Sequence, residues 1–171
     1  MSGAKFKPAE LKRQRRRSGH RCWDHIIVAP LWVAYGANLG TLLRTCDAVG
    51  ACLAVPRTPH YREALYVGDT LRSRRPCIHW VGSKTNWIDD QRARGKRIVA
   101  VELAESATSL LRLETARQPT VLLLGHERHG IPDEVLATVD ECVEIPMIGQ
   151  GASLNVAVAG SLVAYRLAGL A

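Results

Sequence analysis

No stretch of this sequence approaches the roughly 20 consecutive apolar residues that a bilayer-spanning helix requires, so the chain is expected to be soluble and cytoplasmic. The basic N-terminus has no apolar core behind it, which argues against a secretory signal. The five cysteines, Cys22, Cys46, Cys52, Cys77 and Cys142, include no CxxC pair and no nearby CxxH spacing. That scatter argues against both a zinc site and a disulfide framework, and reduced, mostly buried thiols are expected. Also missing are a GxGxxG after the first apolar run and a P-loop with its Gly-Lys-Ser/Thr ending, so the common dinucleotide and nucleoside-triphosphate readings lose their main support. Internal repeats are absent as well.

Charge is unevenly placed. The net charge is +7, and residues 1 to 21 hold eight Lys/Arg against one acidic residue, whereas the remainder carries 15 of each sign. The run Lys12-Arg13-Gln14-Arg15-Arg16-Arg17 has almost nothing apolar around it and is expected to be a flexible basic arm. Such an arm can neutralise phosphates by releasing counterions, a salt-sensitive contribution to nucleic-acid affinity. A solubilising tail or a mitochondrial-type presequence are the plainer readings.

From residue 25 onward short β-branched or apolar runs (HIIVAP, ACLAVP, CIHWVG, RIVAVEL, TVLLLG, CVEIP) alternate with longer amphipathic ones. Alternation of this kind predicts an α/β domain over residues 22 to 171, with a mostly parallel sheet and helices on both faces. RIVAVEL and TVLLLG, continuously apolar, read as central strands. Ligands of such sheets bind in the loops beyond the carboxyl ends of the strands.

Three such segments carry chemistry. In Asn38-Leu39-Gly40-Thr41-Leu42-Leu43-Arg44-Thr45-Cys46-Asp47-Ala48-Val49-Gly50, a helix would bury Leu39, Leu42, Leu43 and Cys46 on one face, with Asn38 capping its start and Arg44 projecting from its second turn. By itself this is also what a capped amphipathic helix with a surface arginine looks like. In Leu124-Gly125-His126-Glu127-Arg128-His129-Gly130-Ile131-Pro132, Gly125 permits close backbone approach by a ligand and Glu127 can orient an arginine or the ligand itself. His126 and His129 lack a third ligand at a usual spacing and read as solvent-facing. In Ile145-Pro146-Met147-Ile148-Gly149-Gln150-Gly151-Ala152-Ser153-Leu154-Asn155-Val156, a glycine-bearing loop runs into the last helix with Ser153 as its expected N-cap, and offers free backbone N–H groups to a ligand.

Together and in this order, the segments resemble the signatures of the SPOUT class of RNA methyltransferases, most closely the TrmH-type ribose 2′-O-methyltransferases, over about residue 25 to the C-terminus. The resemblance implies an α/β-knot fold with a deep trefoil knot in the C-terminal part, an exception to the rule that chains do not thread loops. It implies a homodimer with S-adenosylmethionine as cofactor and RNA as partner, tRNA first and rRNA as the alternative. A non-catalytic knotted RNA-binding protein is the competing class. Carried over position by position, Val101, Leu103, Gly125, Ile145, Met147 and Leu154 would form the adenosine pocket, and Asn38, Arg44, Glu127, Ser153 and Asn155 the catalytic and RNA-placing set.

Methyl transfer from a sulfonium is an in-line displacement needing a placed oxygen nucleophile and a route for its proton. Arg44, with a pKa above about 12, is a poor base; phosphate binding and stabilisation of developing oxygen charge suit it better. No metal is called for, because the leaving group is neutral once the methyl departs. Two features depart from the family pattern. The entry PLWVAYGAN, ending at Asn38, is longer than the usual Pro-x-Asn, and the basic stretch with Arg62, Arg72, Arg74 and Arg75 matches no signature. That stretch reads as an extension of an RNA-facing patch or as a solvated helix face.

Overall fold

A computed structural model describes residues 25 to 68 and 77 to 171. The basic arm and Arg72, Arg74 and Arg75 lie outside the described residues. In chain order the elements are β1 (Ile26–Ala29), α1 (Gly36–Val49), β2 (Cys52–Pro56), α2 (Pro59–Gly68), β3 (Ile78–Val81), α3 (Lys84–Ala93), β4 (Arg97–Val101), β5 (Thr108–Ser109), β6 (Thr120–Leu124), α4 (Asp133–Leu136), β7 (Glu141–Glu144) and α5 (Val156–Leu167). A single 3-10 turn, Leu110–Arg112, follows β5.

The strands form one sheet in the order β3-β2-β1-β6-β4-β7-β5, and every pairing between them is parallel. β6, the TVLLL run, occupies the middle with β4 beside it, as their unbroken apolar character predicts. Helices cover both faces. Leu39, Leu42 and Leu43 of α1, Tyr61 and Leu65 of α2, and Val163, Ala164 and Leu167 of α5 pack with Val28, Leu53, Val99, Leu122 and Leu124. On the other face Ile88 of α3 and Val135 of α4 pack with Ile27, Ala54, Ile98, Val121 and Leu123. Alternate residues of each strand thus feed opposite cores, each large side chain contributing about 1.5–3 kcal/mol by burial. No helix among the described residues is long and apolar enough to cross a membrane.

The expected apolar face of α1 is observed: Leu39, Leu42, Leu43 and Cys46 are all buried. Its start differs from expectation. α1 begins at Gly36, Tyr35 holds the N-cap position without a side-chain cap, and Asn38 lies inside the first turn. The last helix differs too, since Asn155 rather than Ser153 is its N-cap, with the side-chain oxygen accepting from Ala157 and Val158 N–H. Both shifts have one physical cause: other polar groups, described below, fix these two asparagines.

Candidate active site

Because all strands run the same way, the loops after β1, β6, β4 and β7 emerge at one edge, and these four strands are neighbours. The three segments singled out by sequence therefore converge there. After β6, His126 and Gly130 close a tight loop with two backbone hydrogen bonds of 2.9 Å each. Gly130 takes a left-handed φ of 67° at its end. This rigid loop carries Glu127.

Glu127 reaches the entry to α1. Its Oε2 accepts from Ala34 N–H at 2.9 Å and its Oε1 from Tyr35 N–H at 3.0 Å, so the carboxylate serves the helix start from across the sheet edge, where a negative charge suits the helix dipole. Glu127 Oε1 also accepts from Asn38 Nδ2 at 2.7 Å. Burial alone would raise the Glu127 carboxyl, but the N–H groups of Ala34, Tyr35 and Glu127 itself and the Asn38 amide outweigh it and hold the group below the usual carboxylate range.

Asn38 passes the constraint on. Its Oδ1 accepts from Asn155 Nδ2 at 3.0 Å, while Asn155 Oδ1 accepts from Ala157 N–H at 2.9 Å and Val158 N–H at 3.2 Å. An ionised carboxylate can only accept and a helix N-terminus can only donate. The two amides between them consequently have one orientation each, and the chain Glu127–Asn38–Asn155 locks all three signature segments together.

The remaining expected residues divide. Arg44 and Ser153 are exposed, and among the described residues neither side chain has a hydrogen-bond or ion-pair partner, so the structure does not join them to the asparagine network. Arg44 and Glu127 form no ion pair here; the donors on Glu127 are the N–H groups of Ala34 and Tyr35 and the Asn38 amide. Of the adenosine set, Val101 and Ile145 are half-buried at the strand ends, Leu103 is 78% exposed, and Met147 and Leu154 are 39% and 38% exposed. Gly125 is buried, and a Cβ there would stand 2.4 Å from Gly130 C and 2.6 Å from Ile131 N, so a glycine is required for the close approach of its own loop. His126 lies against His129 with ring centroids 4.6 Å apart and the planes tilted by 40°, its Nδ1 accepting from Arg128 N–H at 3.0 Å.

Three supporting residues escaped the sequence reading. Tyr61 of α2 donates its hydroxyl to Val33 O at 2.7 Å, and His60 Nε2 lies 2.9 Å from Ala34 O, so α2 grips the long entry segment that departs from the family pattern. Burial, with the charge of Glu127 nearby, pushes the Tyr61 phenol up to about 12. Glu102, just past β4, accepts from Ile131 N–H at 3.1 Å and steadies the Glu127 loop from its other side. None of the three stands in a recognisable motif; an aromatic in an amphipathic helix and a carboxylate after a strand carry no signal until the fold pairs them.

A parallel α/β sheet whose polar network sits beyond its carboxyl edge, flanked by exposed apolar side chains, defines a ligand-binding α/β protein with its site in the strand-end loops. Comparison makes this specific: residues 26 to 165 match the model of the SpoU rRNA Methylase family, and the chain belongs to that family. It is 34% identical over 138 residues to the tRNA (guanosine(18)-2′-O)-methyltransferase of Escherichia coli, an alignment covering 75% of this chain and 56% of the relative. The chain thus spans little more than half the length of that curated relative. Among solved structures, the TrmH/SpoU tRNA modifying enzyme of A. aeolicus superposes with a TM-score of 0.74 at 27% identity, covering 95% of this chain and 82% of that one. An AdoMet-bound rRNA methyltransferase of Sinorhizobium meliloti gives 0.72 at 28% identity over 89% of this chain and 58% of the other.

Proposed function

We propose that this chain is an S-adenosylmethionine-dependent RNA methyltransferase acting on a ribose 2′-hydroxyl of tRNA in the cytoplasm, as a homodimer with a knotted C-terminal part. The observation that carries the reading is the Glu127–Asn38–Asn155 chain, which fastens three signature segments into one rigid edge. The E. coli relative, named for 2′-O-methylation of tRNA, supports the substrate. The rRNA named for the S. meliloti structure favours ribosomal RNA as the second reading.

The side chains fit the cofactor. An adenine ring needs apolar surfaces and backbone hydrogen bonds, and Leu103, Met147 and Leu154 present exposed apolar side chains at the strand ends where a ligand would cover them. Val101, Gly125 and Ile145 supply the backbone floor. When bound, S-adenosylmethionine supplies a methyl carbon activated by its sulfonium.

The rest falls to this chain. Asn38 and Asn155 fix the loop against which the ribose is placed, and Ser153, exposed and with its hydroxyl available, contacts the sugar. Arg44 binds the phosphate next to the reacting hydroxyl and stabilises negative charge as its proton leaves to that phosphate or a water. Dimerisation explains why Arg44 stands apart from the other polar residues. It lies on the exposed side of α1, which packs on α5 through the Thr45–Ser161 hydroxyl contact at 2.7 Å. α5 in turn exposes Val158, Leu162 and Tyr165, and the loop before it exposes Ile148 completely. On this reading, burying that apolar surface against a second copy would bring Arg44 to the partner's cofactor loop. The basic arm of residues 1 to 21 adds salt-dependent RNA affinity.

The test is calorimetric titration of the purified protein with S-adenosylhomocysteine, then radiolabelled methyl transfer to bulk tRNA and to rRNA, with nucleoside analysis of the product. Cofactor binding with label at a ribose in the tRNA pool is expected. Label confined to rRNA selects the second reading. Absence of cofactor binding with RNA binding intact overturns the enzyme in favour of a non-catalytic binder.

A further inference from the structure

At the sheet edge opposite Glu127, three residues scattered in the sequence meet. Parallel pairing sets Leu53 against Ile78 and Ala54 against His79, so Cys52, at the start of β2, falls beside Cys77, which leads into β3. Side chains alternate along a strand, which puts Cys52, Cys77 and His79 on one face. That face is the one that also carries Ile88 of α3: Cys52 is buried in the same core cluster as Ile88, and Cys77 and Trp87 pack at its margin. One ligand atom from each of the three residues lies within 4.8 Å of the other two, and Cys77 Sγ stands 3.6 Å from His79 Nε2.

The Cys77–His79 spacing suits a zinc ion. With Zn–S near 2.3 Å and Zn–N near 2.0–2.1 Å, tetrahedral coordination separates a sulfur from a nitrogen ligand by about 3.6 Å and two sulfurs by about 3.8 Å. Two thiols and an imidazole, without a carboxylate, select a borderline-soft cation over magnesium or calcium. The set carries no CxxC or CxxH spacing because one residue comes from the neighbouring strand and the other two are separated by a single residue, as a strand requires.

We propose that Cys52, Cys77 and His79 form a zinc(II) site that ties the edge strand β3 to β2. Binding converts both thiols to thiolates, with two protons released to solvent, and a water takes the fourth tetrahedral position. Placed at the amino ends of the strands, the ion has a structural role independent of methyl transfer, and the inference stands whether or not the functional reading above does.

The test uses the full-length chain, purified under reducing conditions and stripped with a chelator, then titrated with zinc chloride alone against a chromophoric competitor and separately with cobalt(II). Expected are one zinc per chain, a thiolate-to-cobalt charge-transfer absorption, and a zinc-dependent rise in Tm. Loss of an outer-shell partner already costs about 10–100-fold in metal affinity, so Cys77→Ser and His79→Gln should each weaken zinc binding by at least about 100-fold. Both positions are only half-buried, and cooperative unfolding of the stripped variants establishes that they fold. No saturable uptake, uptake unchanged in the folded variants, or a cobalt spectrum without thiolate absorption each overturns the site.

Discussion

Asn155 Nδ2 donates to Asn38 Oδ1 across 3.0 Å, although 117 residues separate them. Asn38 is 8% exposed, so removing its buried amide leaves the part-buried Glu127 carboxylate without that donor and the Asn155 amide without its acceptor. Asn38→Ala should destabilise the fold by about 1–3 kcal/mol, the cost of unsatisfied buried polar groups, measured by urea unfolding. Asn38→Asp should do at least as much harm, because it sets a second carboxylate against Glu127. Wild-type stability in both variants would show that the network does not hold the segments together.

Glu127 predicts an acid limb. Its folded pKa is depressed, so the group contributes stability that is fully present above the unfolded carboxylate value near 4.3 and is lost as pH falls through the lower folded value. Glu127→Gln should lower stability at neutral pH and flatten the stability profile below about pH 4.5. Parallel profiles for wild type and variant through that range would remove Glu127 as the source.

Tyr61 predicts the opposite limb. Its pKa is raised to about 12, so the unfolded chain loses the phenolic proton first. Its contribution is whole below about pH 10 and declines as pH rises toward 12. Tyr61→Phe should therefore lose about 0.5–1.5 kcal/mol at neutral pH with the hydrogen bond to Val33 O, and show a shallower alkaline decline than wild type. Chemical unfolding at pH 8 and above checks both.

Much of this fold was legible because period and composition agree: TVLLL and RIVAV are too uniformly apolar to lie anywhere but mid-sheet, and the 3–4 spacing of Leu39, Leu42, Leu43 and Cys46 allows only one buried helix face. The segments that converge beyond the carboxyl edge were legible where a motif marked them. What stayed hidden was who holds whom. Asn38 and Ser153 look like caps, yet Glu127 serves the first helix from across the edge and Asn155, two positions past Ser153, serves the last. Such partners are set by strand order, which a local pattern does not encode; the same holds for Tyr61, Glu102 and the Cys52–Cys77–His79 cluster.

Gly125 tests whether the Glu127 loop tolerates movement. A methyl group there would press on the backbone of Gly130 and Ile131, which cannot rotate away as a side chain end would. Gly125→Ala should cost about 2 kcal/mol or more and raise the dissociation constant for S-adenosylhomocysteine, read by calorimetry. Unchanged stability and affinity would mean that the loop shifts freely and that its two closing hydrogen bonds do not fix Glu127.

Arg44 should separate chemistry from stability. It is exposed and makes no hydrogen bond or ion pair among the described residues, so Arg44→Ala should change stability by no more than about 0.5 kcal/mol and leave cofactor affinity intact. Methyl transfer should nonetheless fall by at least about 100-fold, the scale of losing one positioned group that stabilises transition-state charge. Arg44→Lys keeps the charge but not the planar two-pronged donor, and should recover only part of the rate. Mixing Arg44→Ala chains with Asn155→Ala chains then asks where the arginine acts. If it serves the partner's site, mixed dimers regain up to one working site although neither parent is active. Absence of rescue in dimers shown to be mixed would place Arg44 at the site of its own chain.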